Sequence, residues 1–457
     1  MAIHPIDYRY GSEEMRRIFE EESKLQKLLE VEAALARAHA KLGNIPEEAA
    51  KEISKKASTK YVKLKRVKEI EEEIDHDLMA VVLALAEVCG EAGKYVHLGA
   101  TSNDIIDTAT ALQFKEALAI VERDLEELKN ILLERAEEYI DLVCVGRTHG
   151  QHAVPTTYGL KFAIFAMEIK RHLERLREMK KRLLVGQMTG AVGTQASFGD
   201  KGIEIQELVM KDLGLGKVEV SNQLIQRDRY AECFALLALI SATLDKMGRE
   251  IRNLMRTEIA EVAEPFREDK QVGSSTMPHK RNPINSEKVC GLARVIKSNV
   301  FVALENVSLE HERDLTNSSP ERCIIPESFV LLDEILKTMK KVMKGLKIFP
   351  ENVEKNLMLT KGLNLAEAVM IELTKKGMSR QEAHELLRRL SIKAFEENKG
   401  LKEVLLESKE ARAYLSDEDI ERVTNPKNYI GTAIEQVKRI LEEEKYIKKL
   451  RRNKENF

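Results

Sequence analysis

The stretch ALQFKEALAIVERDLEELKNILLERAEEY, Ala111–Tyr139, decides the architecture. Leu118, Val121, Leu125, Leu128 and Leu132 recur at alternating steps of three and four. They form one apolar stripe on a helix of roughly 30 residues, with Glu, Lys and Arg on the opposite face. A second stripe runs through Phe162, Phe165, Ile169, Leu173, Leu176 and Leu183. A third segment, from about Gln226 to Val262, is more apolar still around Phe234–Ile240 and stops near Pro265. A fourth starts at Asn282-Pro283, a capping residue followed by the proline favoured at a first helical position, and continues to about Val307. Only 10 prolines and 23 glycines punctuate the 457 residues, so the elements are long. No alternating strand leads into a helix, which argues against a Rossmann or P-loop architecture. The Gly-rich run Gly186–Gly193 reads as a link between helices rather than a phosphate cradle after a strand. The expected fold is all-α: a central bundle of very long helices over residues 99–345, between smaller helical domains over 1–98 and 346–457. Its apolar faces look wide enough to need partner subunits for full burial.

Lys and Arg number 74 against 76 Asp and Glu, a net charge of −2, which is not the electrostatic footprint of a nucleic-acid binder. The basic run Lys448-Lys449-Leu-Arg451-Arg452 reads as a solvated helix end complementing the helix dipole. Cys89, Cys144, Cys233, Cys290 and Cys323 are scattered without a C-x-x-C pair, which argues against a disulfide framework and a structural zinc site. The N-terminus lacks an apolar signal core, and no stretch approaches about 18 uncharged apolar residues. A soluble, cytoplasmic protein is the expectation. Charged residues make up 33 % of the chain, with abundant Lys and Glu, a composition met in thermophiles.

Four polar clusters interrupt the helical pattern, and core packing explains none of them. Gly99-Ala-Thr101-Ser102-Asn103-Asp104 precedes the first long helix; it reads as an N-cap with spare hydroxyls, or as an anion site built on the same free N–H groups. Gly146-Arg-Thr-His149-Gly-Gln-His152 carries two histidines three apart. No acidic ligand stands beside them, so metal binding is disfavoured, whereas a histidine titrating near neutrality suits acid–base chemistry. Residues 271–283 combine Gly, Ser and Pro with Lys280 and Arg281, the composition of a mobile lid over an anion. Glu312-Arg313-Asp314 through Arg322 offers guanidinium forks that either pair with local carboxylates or capture phosphate or carboxylate in two-pronged fashion.

At these residues the chain resembles the fumarase/aspartase superfamily. Gly273-Ser-Ser-Thr-Met-Pro-His-Lys-Arg-Asn-Pro283 is similar to its signature loop GSSxMPxKxNP, and Thr101-Ser102 and Thr148-His149 match its threonine–serine and TH clusters in order. Within it the adenylosuccinate lyase branch is the best match. Gly146–Gly159 resembles GRTHGQxAxPTTFG, Lys280–Glu287 resembles KRNPxxSE, Glu312–Arg322 resembles ERDxSxSSxER, and Arg9-Tyr10 resembles the branch's nucleotide-contacting pair. The likeness runs from about residue 9 to 325; beyond that only helicity matches. One departure stands out: the branch has Arg-His-Asp where this chain reads Asp75-His76-Asp77.

The resemblance implies β-elimination of fumarate from succinylated purine nucleotides, from adenylosuccinate to give AMP and from SAICAR to give AICAR. That reaction needs a base at the carbon next to a carboxylate, an acid at the departing nitrogen, and cations or amides facing the developing dianion. By resemblance Ser274 is the base and His149 the acid. Glu287 orients the histidine, and Lys280 and Asn282 bind the succinyl carboxylates. Thr101, Ser102, Gln223, Arg313, Ser318 and Arg322 hold substrate, with Arg9, Tyr10, His76 and Asp77 toward the nucleotide. No metal or organic cofactor is implied, and the superfamily places its sites between subunits of a homotetramer. Two other readings are a lyase of the same superfamily acting on argininosuccinate, malate or a cycloisomerase substrate, and a helical scaffold that lost its activity.

Overall fold

The computed structural model describes residues 3–266, 277 and 279–455, with side chains to residue 447. Five long helices dominate: Ser102–Glu138, Tyr158–Leu183, Asp228–Leu254, Ile284–Glu305 and Ser318–Gly345, here the first to fifth. The first has 37 residues, roughly 55 Å at about 1.5 Å per residue. It begins at Ser102, nine residues before the start read from periodicity. Strands among the described residues are short and form three two-stranded pairs, so the fold is all-α.

The leucine stripe does what its spacing implies. Leu118, Val121, Leu125, Leu128 and Leu132 are all fully buried, as are Phe234, Leu237 and Ile240 on the third helix. This corrects one expectation, because a single chain already covers these faces. A stripe's width was judged from one helix, whereas neighbouring helices of the same chain enclose it. The apolar side chains left outside on long helices are others: Leu239, Phe301 and Leu304 are 50 %, 73 % and 51 % exposed.

The chain divides into two compact units. The first comprises residues 1–126, 170–245 and 288–338; the second comprises 127–169, 246–287 and 339–457. Each long helix contributes a stretch to both. The first unit holds an apolar core running from Leu25, Leu29 and Leu35 through Leu78 and Leu85 to Ile105, Ile205 and Val209. The second unit holds a separate core of Leu365, Val369, Leu373, Leu386, Leu401, Val404 and Ile420, supplied by short helices over 363–423.

Two local readings change. The strands Val143–Thr148 and Gln151–Thr157 form an antiparallel hairpin that leads into the second long helix. The bulge at Gly146 breaks the alternation that would have signalled it. The Gly-rich run does follow a strand, though only the two residues Val185–Gly186, paired in parallel with Gly216–Lys217. A side chain at Gly186 would run into Met210 and Thr108, which would have to shift to make room. No helix of the described residues is long and apolar enough to cross a membrane, and all five cysteines are free thiols.

Candidate active site

In the second unit, the hairpin 143–157 presents His149. Thr148 pairs with Gln151, leaving His149-Gly150 as a two-residue loop. Both have positive φ, +52° and +74°, as a type I′ hairpin turn requires. Glycine adopts that geometry freely, but for histidine it costs about 1 kcal/mol. The imidazole stands exposed at the hairpin tip.

Two residues back, Arg147 anchors the hairpin. Its Nη2 donates to Glu261 Oε1 at 2.5 Å, Tyr158 Oη donates to Glu261 Oε2 at 2.6 Å, and Asn356 Nδ2 donates to Oε1 at 2.9 Å. Glu261 is fully buried. Burial pushes its pKa up, but the hydrogen bonds from Arg147, Tyr158 and Asn356 outweigh it and hold the carboxyl below its ordinary value.

The fourth helix begins at Ile284, one residue after Pro283, the expected first helical position. The carboxylate of Glu264 accepts from the backbone N–H groups of Asn285 and Ser286, at 3.1 and 2.7 Å, and from the Ser286 hydroxyl. A carboxylate at a helix N-terminus meets free N–H groups and the positive end of the dipole. The helix so capped carries Glu287, and Lys280 and Asn282 precede it in the chain. Lys280 and Glu287 are exposed, and Glu287 lies on the first turn, its N–H bonded to Pro283 O at 2.9 Å. No hydrogen bond links Glu287 to His149 among the described residues. Ser274, the expected base, lies outside the described residues, as do Gly273 and Ser275.

In the first unit, Thr101 takes the N-cap position and Asp104 reaches back to its N–H at 2.9 Å, one arm of a capping box. Asp104 is fully buried and also accepts from the backbone N–H groups of Thr189 and Gly190, at 2.8 and 3.0 Å, and from Gln187. The anion held by the Gly-rich run is therefore the protein's own Asp104. Burial raises its pKa to about 6 against the opposing pull of those amides. Thr101 and Ser102 remain half-exposed beside this lock.

Arg313 and Gln223 meet, Nη1 to Oε1 at 2.8 Å. With the Asn103 amide turned over, its oxygen accepts from the same guanidinium at 3.2 and 3.3 Å. These bonds join two of the four polar clusters, through Asn103 and Arg313, with Gln223, which lies 90 residues before Arg313 in sequence. Arg322 pairs with Asp77, Nη2 to Oδ2 at 2.6 Å, and Ser318 opens the fifth helix one turn earlier. His76 caps the helix Asp77–Cys89 through Nδ1, which accepts from Met79 N–H at 3.3 Å. Asp75 is a left-handed cap, φ +51°, on the helix Leu64–Ile74; a short acidic side chain tolerates that conformation better than most. Arg9 lies over the Tyr10 ring at 5.9 Å and is exposed.

Asn103, Asp104, Glu261 and Glu264 were not singled out from the sequence. Asn103 and Asp104 stood inside a quoted cluster, but apart from Thr101 their partners lie more than 80 residues away. Nothing local marks Glu261 or Glu264. No group of three or more His, Cys, Asp or Glu among the described residues is arranged to hold a metal ion.

Comparison with known proteins agrees with the motifs. Residues 7–297 match the lyase family, and residues 362–440 match the adenylosuccinate lyase C-terminus family. The second match covers the region where sequence reading found only helices. The chain is 68 % identical over 441 residues to adenylosuccinate lyase of Pyrococcus abyssi, covering 96 % of this chain and 98 % of that one. It is 58 % identical over 450 residues to adenylosuccinate lyase of Methanocaldococcus jannaschii, covering 98 % and 97 %. Among solved structures, a 3-carboxy-cis,cis-muconate lactonizing enzyme from Pseudomonas putida superposes with a TM-score of 0.88 at 35 % identity, over 97 % of this chain and 99 % of that one. A fumarate lyase from Mesorhizobium gives 0.87 at 35 % identity, over 94 % and 98 %.

Proposed function

We infer that this chain, which belongs to the adenylosuccinate lyase family of the fumarase/aspartase superfamily, eliminates fumarate from succinylated purine nucleotides, adenylosuccinate giving AMP and SAICAR giving AICAR. The observation that carries this reading is identity above half along nearly the whole chain to adenylosuccinate lyases. The muconate enzyme shares the fold at 35 % identity, so fold alone does not select the substrate. Ultraviolet monitoring of purified protein with adenylosuccinate tests it: AMP and fumarate should form. Turnover of a muconate or of argininosuccinate instead would overturn the reading.

In the proposed mechanism Ser274 removes the proton from the succinyl carbon next to a carboxylate, and His149 protonates the departing nitrogen. Serine is a poor base until ionised. Lys280, loop amides and the positive end of the fourth helix favour the alkoxide once water is excluded. Lys280 and Asn282 bind the succinyl carboxylates, and Glu287 stabilises the charged histidine. Thr101, Ser102, Gln223, Arg313, Ser318 and Arg322 hold substrate, with Arg9, Tyr10, His76 and Asp77 toward the nucleotide. Arg313→Ala and Arg322→Ala should each raise KM by about tenfold or more as well as slow turnover, since charge-assisted contacts act in ground and transition states alike. An unchanged KM in both would make these arginines structural.

The active form is proposed to be a homotetramer with sites shared between subunits. His149, Lys280 and Glu287 are exposed in the single chain, and Leu239, Phe301 and Leu304 leave apolar surface on two long helices. Light scattering should give four chains, and an active monomer would refute the arrangement. We keep the division into an N-terminal domain (1–98), a central bundle (99–345) and a C-terminal domain (346–457), and a cytoplasmic location, which suits five free thiols. Activity should survive EDTA; loss on chelation, restored by zinc or magnesium, would show that a metal takes part.

A further inference from the structure

Arg227 is a buried charged group of the first unit. Its side chain is 2 % exposed, and that of Asp107 is 1 % exposed. Nη1 and Nη2 grip Asp107 as a fork, both at 2.9 Å. Nε and Nη2 grip Glu321 as a second fork, at 2.7 and 3.2 Å. Nη1 also donates to the Ile225 carbonyl at 2.7 Å. All five N–H donors of the guanidinium are thereby used. Its flat face lies over the Tyr230 ring at 4.4 Å. Asp107 accepts in turn from the Ile225 N–H at 2.9 Å, and Glu321 from Asn317 at 3.1 Å.

Two carboxylates against one guanidinium leave an excess negative charge in the interior, and burial raises the pKa of Glu321. Such a cluster is a poor way to gain stability, because desolvation offsets most of the attraction and an apolar set of similar volume would serve as well. What it supplies is direction, since two rigid forks meeting on one planar group admit a single arrangement. The three segments so joined are telling. Asp107 lies five residues after Ser102 on the first long helix. Ile225 lies two residues after Gln223. Glu321 sits on the fifth helix between Ser318 and Arg322.

We propose that Arg227 is a positioning residue for substrate binding, holding Thr101-Ser102, Gln223 and the Ser318–Arg322 turn at one mutual spacing. The proposal rests on the reading above that these groups hold the succinylated nucleotide. Arg227 touches no substrate; it acts through the segments it joins, where a misplacement of about 1 Å is enough to cost substrate alignment.

The test uses Arg227→Lys, which keeps the charge but cannot form two forks, and Glu321→Gln, which keeps the shape but removes one carboxylate. Lys129→Met is the control. It breaks another buried ion pair, Lys129 Nζ to Glu444 at 2.8 Å, which lies in the second unit. On purified, assembled full-length protein, KM for adenylosuccinate, the inhibition constant for AMP, kcat and the thermal midpoint are measured side by side. Arg227→Lys and Glu321→Gln should each raise KM and the AMP inhibition constant together by tenfold or more, with a smaller change in kcat. Lys129→Met should lower the midpoint and leave both binding constants within twofold. Binding constants unchanged in Arg227→Lys and Glu321→Gln, whatever their midpoints, would reduce the cluster to a structural role. If Arg227→Lys does not assemble, Glu321→Gln is read in its place. Failure of both to assemble while Lys129→Met assembles would assign the cluster to folding and overturn the proposal. Wild-type protein that releases no fumarate sinks the functional reading itself, an outcome distinct from any change in the variants.

Discussion

His149→Ala and Ser274→Ala should each leave a folded, assembled protein whose turnover is lowered by about 10²–10⁴-fold or more, the range a positioned proton donor or acceptor supplies. His149 occupies an exposed hairpin turn with positive φ, and alanine there removes no core contact. Loss of activity is therefore expected without loss of fold. Ser275→Ala should hurt less, since the superfamily loop places the base on the first serine of the pair. Solvent exchange of the succinyl Cβ proton separates the two roles. Ser274→Ala should stop that exchange, whereas His149→Ala should retain some wherever carbanion formation precedes nitrogen departure. Near wild-type turnover in Ser274→Ala, with exchange abolished in His149→Ala, would reverse the assignment and make histidine the base.

The second large effect is on stability. Glu261→Ala leaves Arg147 as an uncompensated, mostly buried cation and strips partners from Tyr158 and Asn356, and should cost about 3–5 kcal/mol. Denaturant unfolding at fixed protein concentration measures it, and a loss below about 1 kcal/mol would show that the network relaxes around the gap. The pH dependence has a definite sign. The folded-state pKa of Glu261 lies below its ordinary value of 4.5. Its stabilisation is therefore complete above the unfolded value and is lost as pH falls through the folded one. Glu261→Ala should flatten that part of the acid limb. Because Arg147 stands two residues before His149, the same variant should also blunt turnover in the molecules that remain folded.

What the sequence determined by itself was whatever rests on local periodicity and on contiguous motifs. A leucine stripe at steps of three and four produces a long amphipathic helix in any context, so Leu118–Leu132 was read correctly, and the all-α class with it. Contiguous signatures such as Gly146–Gly159 and Gly273–Pro283 pointed to the family because their chemistry is written in adjacent residues. Periodicity failed where burial is polar. The turns from Ser102 to Thr108 precede the helix start read at Ala111, because Asp104, Asp107 and Thr108 are polar, yet all three are buried. They can be helical there only because Thr189, Gly190, Arg227 and Gln187 satisfy them from distant parts of the chain. The 143–157 hairpin was missed because the Gly146 bulge spoils its alternation. Tertiary structure alone decided which face stays apolar outside, what caps the fourth helix, and which charges hold the candidate groups in place. Arg227 meets Asp107 across 120 residues and Glu321 across 94, and Arg147 meets Glu261 across 114. A buried ion pair is defined by distance and desolvation, and neither quantity exists until the chain has folded.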